Sequence, residues 1–146
     1  MERDTIMDSE FARAIILDNY QSPSNRGIPS EKDYIKINTN NESCIDNLDI
    51  YVKLNNNNII EDIKFEGEAC VISISSTSIM TKLLIGKTKE EAIDIINNYK
   101  NMIDEEDYNK DKLGEALVYS NICKQASRKK CATLSVNGIL NILKED

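Results

Sequence analysis

The sequence has no histidine among its 146 residues. That removes the commonest acid/base group at neutral pH and the commonest nitrogen ligand for metals, and it excludes Ser-His-Asp and Cys-His catalysis within the chain. No apolar run approaches the roughly 20 residues of a membrane span. Met1 to Glu10 carries four acidic residues and lacks the apolar region of a signal peptide, so a protein of the cytosol is expected. Positive charge is in short supply: 18 Lys and Arg stand against 25 Asp and Glu. A net charge of -7 repels phosphate backbones and anionic lipid, so neither nucleic acid nor a membrane surface is expected as a partner. Gly67-Glu68-Ala69 has neither the P-loop lysine nor a Rossmann glycine pattern and reads as a turn. Chemistry is left to Cys, Asp, Glu, Lys, Arg, Tyr or a bound metal.

With 40% apolar and 29% charged residues, residues 1–146 read as one globular domain with a substantial core. Phe11 to Tyr20 is an amphipathic helix stopped by Ser22-Pro23, and Gln21 to Ser30 is loop. Alternation then predicts three strands, over Tyr34–Ile37, Leu48–Leu54 and Ile59–Phe65. Asn55 to Asn58 suits a tight hairpin, or reflects composition bias. After Gly67 the period becomes helical up to Gly86, and Thr88 with Glu91 forms a capping box for the next helix. Asp104 to Asp111 is a polar, charged connector, and its acidic patch Asp104 to Asp107 reads as a solvated loop. A short helix follows around Leu113, Ala116 and Leu117, and a terminal helix runs from Ala132 to Leu143, with Gly138 unfavourable in its middle. The expected class is α+β, with helices packed on one face of a small three-stranded antiparallel sheet.

Cys44, Cys70, Cys123 and Cys131 sit in a reducing compartment, where metal or sulfur chemistry is a better expectation than disulfides. Cys44 precedes the second strand, Cys70 joins the third strand to its helix, and Cys131 precedes the last helix. Such boundaries gather at the ends of a small domain. Helix N-termini favour thiolate at Cys70 and Cys131, and Arg128, Lys129 and Lys130 act in the same direction. Asp46, two residues beyond Cys44, shares its face in an extended segment. Three thiolates and a carboxylate suit tetrahedral zinc, or equally iron and sulfide. Separately buried thiols are the alternative, because no C-x-x-C is present. Cys123 has no partner at a suggestive spacing and reads as a bystander. Ser73, Ser75, Ser76, Thr77 and Ser78 have no base to activate them and read as small residues that let a helix pack closely on the sheet.

Two segments carry a resemblance: Phe65-Glu66-Gly67-Glu68-Ala69-Cys70-Val71-Ile72-Ser73, continuing through Ser76-Thr77-Ser78-Ile79-Met80, and Lys130-Cys131-Ala132-Thr133-Leu134-Ser135. They resemble the SufU branch of the IscU/NifU N-terminal family of iron-sulfur cluster assembly proteins. Tyr20, Pro23, Asn25 and Gly27 resemble the family's N-terminal segment, and Cys44-Ile45-Asp46 stands at its Cys-Gly-Asp position. The long interval between Cys70 and Cys131, and Lys130 where the IscU branch has histidine, favour the SufU branch. The resemblance implies Cys44, Asp46, Cys70 and Cys131 around one metal. It also implies a SufS-like, pyridoxal-phosphate cysteine desulfurase as sulfur donor, and downstream iron-sulfur assembly or acceptor proteins as recipients. In the SufU branch the resemblance implies a zinc site whose Cys44 is released to accept sulfur, with Arg128 close by. In the IscU branch it implies a scaffold holding iron or an iron-sulfur cluster on Cys44, Cys70 and Cys131. Ile45 replaces the family's glycine, Ala69 another, and Val136 stands where the SufU branch often has tryptophan. A β-branched residue at a positive-φ position would distort the loop, so a divergent binding or regulatory paralogue is a third expectation.

Overall fold

The computed structural model describes residues 9–30, 32–40, 45–122 and 126–144. Three strands, β1 (Ile35–Asn40), β2 (Asn47–Leu54) and β3 (Ile60–Glu68), form an antiparallel sheet in sequence order. Alternation aims one set of side chains at the core: Leu48, Ile50 and Val52 from β2 and Ile63 and Phe65 from β3 are fully buried. Burying each such side chain contributes about 1.5–3 kcal/mol. The helices cover that face, with α4 (Ala126–Lys144) on β1 and β2 and α2 (Val71–Leu84) on β3. This is the expected α+β architecture.

The asparagine run is a true hairpin device. Asn58 adopts φ 61°, and the Asn55 side chain accepts the backbone N–H of Asn57 at 2.8 Å and of Ile59 at 3.0 Å. The other edge of β3 is covered by the segment after α1 (Ser9–Gln21). There Gly27 N–H donates to Phe65 O at 2.8 Å, Asn25 to Asp62 at 2.9 Å, and Arg26 pairs with Glu66 and the Gly67 carbonyl. Salt linkage to Arg26 holds the Glu66 carboxyl below its usual range.

Helix α2 is buried on nearly every side, from Ser73 to Thr81. Its small hydroxylic residues let α1, α4 and the sheet approach together, as expected, and they also form specific bonds: Ser78 donates to Asn19 of α1 at 2.7 Å. Helix α3 (Lys89–Ile103) starts with the predicted capping box, Thr88 Oγ1 accepting Glu91 N–H while Glu91 accepts Thr88 N–H. That bond holds the Glu91 carboxyl below its usual range. The short helix expected near Leu113 is a pair of 3₁₀ turns, Lys110–Lys112 and Gly114–Tyr119.

The last helix corrects the sequence reading. It begins at Ala126, not at Ala132, because Arg128, Lys129 and Lys130 are good helix formers whose charges lie on its more exposed side. Gly138 has a packing reason for its place in mid-helix. A Cβ there would lie 2.5 Å from Thr39 Cγ2 and 3.3 Å from Ile37 Cγ2, so glycine lets α4 press against β1.

Candidate metal centre

Strand register assembles the site. Asn47 pairs with Glu68, so the start of β2 and the end of β3 lie side by side. Asp46 immediately precedes the first, and Cys70 follows the second by two residues. The close approach requires Gly67: it takes φ +137°, and a Cβ would lie 2.2 Å from Asn47 O. Helix α4 brings Cys131 to the same point. One carboxylate oxygen of Asp46 and the sulfurs of Cys70 and Cys131 all lie within 4.8 Å of one another.

The cluster is tightly hydrogen-bonded. Asp46, 2% exposed, accepts the backbone N–H of Cys70 on Oδ1 at 2.7 Å. Ser73 Oγ donates to Asp46 Oδ2 at 2.5 Å. Cys70 is the N-cap of α2, so this carboxylate also meets the positive end of the helix. Cys70 Sγ lies 3.8 Å from Asp46 Oδ2 and 3.6 Å from Ser73 Oγ. On the α4 side, Tyr99 of α3 donates to Ala132 O at 2.7 Å and pins the turn that carries Cys131.

Cys131 departs from expectation. It lies inside α4 rather than ahead of it, beyond the first turn where the helix dipole acts. Burial pushes its thiol up to about 12, and hydrogen bonding and charge from Cys70 and Asp46 act in the same direction. The expected dipole effect therefore fails for Cys131.

Ile45 does not pull Asp46 out of the cluster: its side chain is 70% exposed while Asp46 points inward. Cys44 and Cys123 lie outside the described residues. Arg128 is exposed and lines a cleft of about 770 Å³ together with Arg13, Tyr20, Ile45, Cys70 and Ile122. Half-buried Cys70 thus opens to the surface while Cys131 is closed off. Sequence alone predicts a packing role for Ser73. Its spacing three residues after Cys70 puts both on one helix face, and that was the available sign of a polar role.

Two thiols and a carboxylate with donor atoms within 4.8 Å of one another, in a chain with no histidine, form a soft donor set that fits zinc or iron. Residues 12–132 match the family described as the NifU-like N-terminal domain. The chain is 37% identical over 124 residues to the zinc-dependent sulfurtransferase SufU of Bacillus subtilis (strain 168), covering 84% of this chain and 82% of that protein. It is 33% identical over 132 residues to the iron-sulfur cluster assembly scaffold protein IscU of Streptococcus pyogenes serotype M1, covering 90% and 81%. A crystal structure from Fervidobacterium islandicum AW-1, described as a SUF-system iron-sulfur cluster assembly scaffold protein, superposes with a TM-score of 0.80. It is 31% identical, with 89% of this chain and 94% of that one covered.

Proposed function

The chain belongs to the NifU-like N-terminal domain family, and from that premise we propose that it is a zinc-binding sulfur acceptor that takes persulfide sulfur from a cysteine desulfurase. The observation that carries this is the convergence of Asp46, Cys70 and Cys131. Cys44, two residues from Asp46, is the fourth ligand and the acceptor. Zinc would be held by these four residues and would keep their thiols deprotonated at neutral pH. In the transfer, Cys44 sulfur attacks the outer sulfur of the donor's persulfide. The donor S–S bond breaks, a new S–S bond forms on Cys44, and the donor sulfur leaves as a thiolate that takes its proton from solvent. No electron is gained or lost overall.

The cleft supports a protein donor. Exposed Ile45 and Tyr20 supply apolar contact, while Arg13 and Arg128 place positive charge at the rim of an otherwise acidic chain. Arg128 assists there by attracting the anionic persulfide. The donor is a SufS-like desulfurase, and the sulfur passes on to iron-sulfur assembly or acceptor proteins in the cytoplasm. Among the described residues no helix is long and apolar enough to cross a membrane.

The test is purification followed by metal analysis and a desulfurase assay. About one zinc per chain and a rise in cysteine-dependent turnover are expected. An unstimulated desulfurase, with Cys44→Ala behaving as wild type, would refute the transfer role. The similarity to the Streptococcus pyogenes scaffold supports a second reading, in which Cys44, Cys70 and Cys131 hold iron or a nascent cluster. Anaerobic reconstitution to a coloured protein favours it; a colourless, zinc-retaining protein that relays sulfur excludes it as the main role. The regulatory-paralogue reading rested on Ile45, and Asp46 joins the cluster despite it.

A further inference from the structure

We propose that Ser73 is a positioning residue of the metal centre, holding the Asp46 carboxylate in the orientation that makes it a ligand beside Cys70 and Cys131. The proposal rests on the metal reading above. Ser73 is completely buried, and its hydroxyl touches all three parts of the cluster. It lies 2.5 Å from Asp46 Oδ2, 3.6 Å from Cys70 Sγ and 3.2 Å from the Cys131 carbonyl oxygen. These belong to the approach to β2, the start of α2 and the second turn of α4, three elements far apart in the chain.

The neighbouring hydroxyls behave differently. Ser76 and Thr77 donate to Ser73 O at 3.2 and 2.7 Å, the ordinary local bond of a helical hydroxyl, and Ser75 shares a 2.5 Å hydrogen bond with the Tyr119 hydroxyl. The shortest contact of the Ser73 hydroxyl is Asp46 Oδ2, at 2.5 Å against 3.2 Å for the Cys131 carbonyl, so its single proton goes to the carboxylate. The Cys70 backbone N–H occupies Oδ1 and the Ser73 hydroxyl occupies Oδ2. Two donors on two oxygens fix the carboxylate plane, and removing the Ser73 hydroxyl loosens that hold. Groups that orient a metal ligand in this way typically change metal affinity 10–100-fold when lost.

The test is a double-mutant cycle read by zinc affinity, measured by competition with a chromophoric chelator, on wild type, Ser73→Ala, Asp46→Ala and the double variant. Each is first checked by thermal melting without metal. Expected are an about 10–100-fold weaker zinc complex in Ser73→Ala with the metal-free fold retained, and no further loss, within about twofold, when Ser73→Ala is added to Asp46→Ala. Additive losses, an unchanged affinity in Ser73→Ala, or collapse of its metal-free fold would each overturn the proposal. A wild-type chain that takes up no zinc would overturn the metal reading itself. Wild-type binding with an indifferent Ser73→Ala overturns only the role of Ser73.

Discussion

Asp46 Oδ1 accepts the backbone N–H of Cys70 at 2.7 Å across 24 residues of chain. The bond joins the segment before β2 to the cap of α2, and it sets two candidate ligands before any metal arrives. A site built this way loses less freedom on binding than one assembled from loose loops. Zinc should therefore raise the melting temperature of the metal-free protein in proportion to the logarithm of its excess over the dissociation constant. Cys70→Ser should remove most of that rise, and a strong chelator should reverse it in wild type. Differential scanning calorimetry with and without zinc measures it.

Gly67→Ala should be severely destabilising, by more than about 3 kcal/mol, since it combines a positive φ with a Cβ 2.2 Å from Asn47 O. The strain falls where β2 and β3 pair beside Asp46 and Cys70, so zinc binding should be lost along with stability. Urea denaturation and zinc titration of the same preparation check both halves. A variant that melts like wild type would show that the register tolerates a side chain here.

Gly138→Ala offers the contrast. The new methyl meets Thr39 Cγ2 at 2.5 Å, and overpacking of this kind costs about 1–3 kcal/mol, partly offset by about 1 kcal/mol of improved helix propensity. The obstacle is the end of a side chain rather than backbone, so β1 can yield. A modest fall in the urea midpoint with zinc stoichiometry retained is expected.

Alkaline pH should weaken the metal-free fold. Burial, reinforced by Cys70 and Asp46, pushes the Cys131 thiol from its ordinary 9.0 up to about 12. Between these values the folded chain holds a proton that the unfolded chain has released, so stability is full below about pH 9 and declines as pH rises towards about 12. Tyr99 and Tyr119, also raised by burial, add to the decline above about pH 10. Urea midpoints of the zinc-free protein should be nearly level from about pH 7.5 to 8.5 and fall beyond. Cys131→Ala should flatten the first part of the fall. A midpoint that climbs through this range would contradict the burial of these groups.

The strands and the capped helix α3 were legible because their cues are local. A period of two in Leu48 to Leu54 and the Thr88 and Glu91 pair act within one element. The start of α4 was not legible in the same way. A basic run before a cysteine looks like a flank, and only packing against α2, α3 and the sheet shows it to be the solvent side of a longer helix. Gly138 likewise reads as a weakness until Thr39 stands opposite it.

For the centre, the sequence by itself determined the donor types: thiols and a carboxylate in a chain without histidine, in an order that resembles one family. What only the tertiary structure decided was their meeting. Asp46 and Cys70 come together through a strand register that depends on Gly67, and Cys131 arrives on a helix whose depth in the core alters its acidity. The Ser73 hydroxyl finds Asp46 only there too. Residue type and spacing fix what a side chain can donate or accept, but which partner it finds depends on contacts between segments distant in the chain, and these exist only once the core has closed.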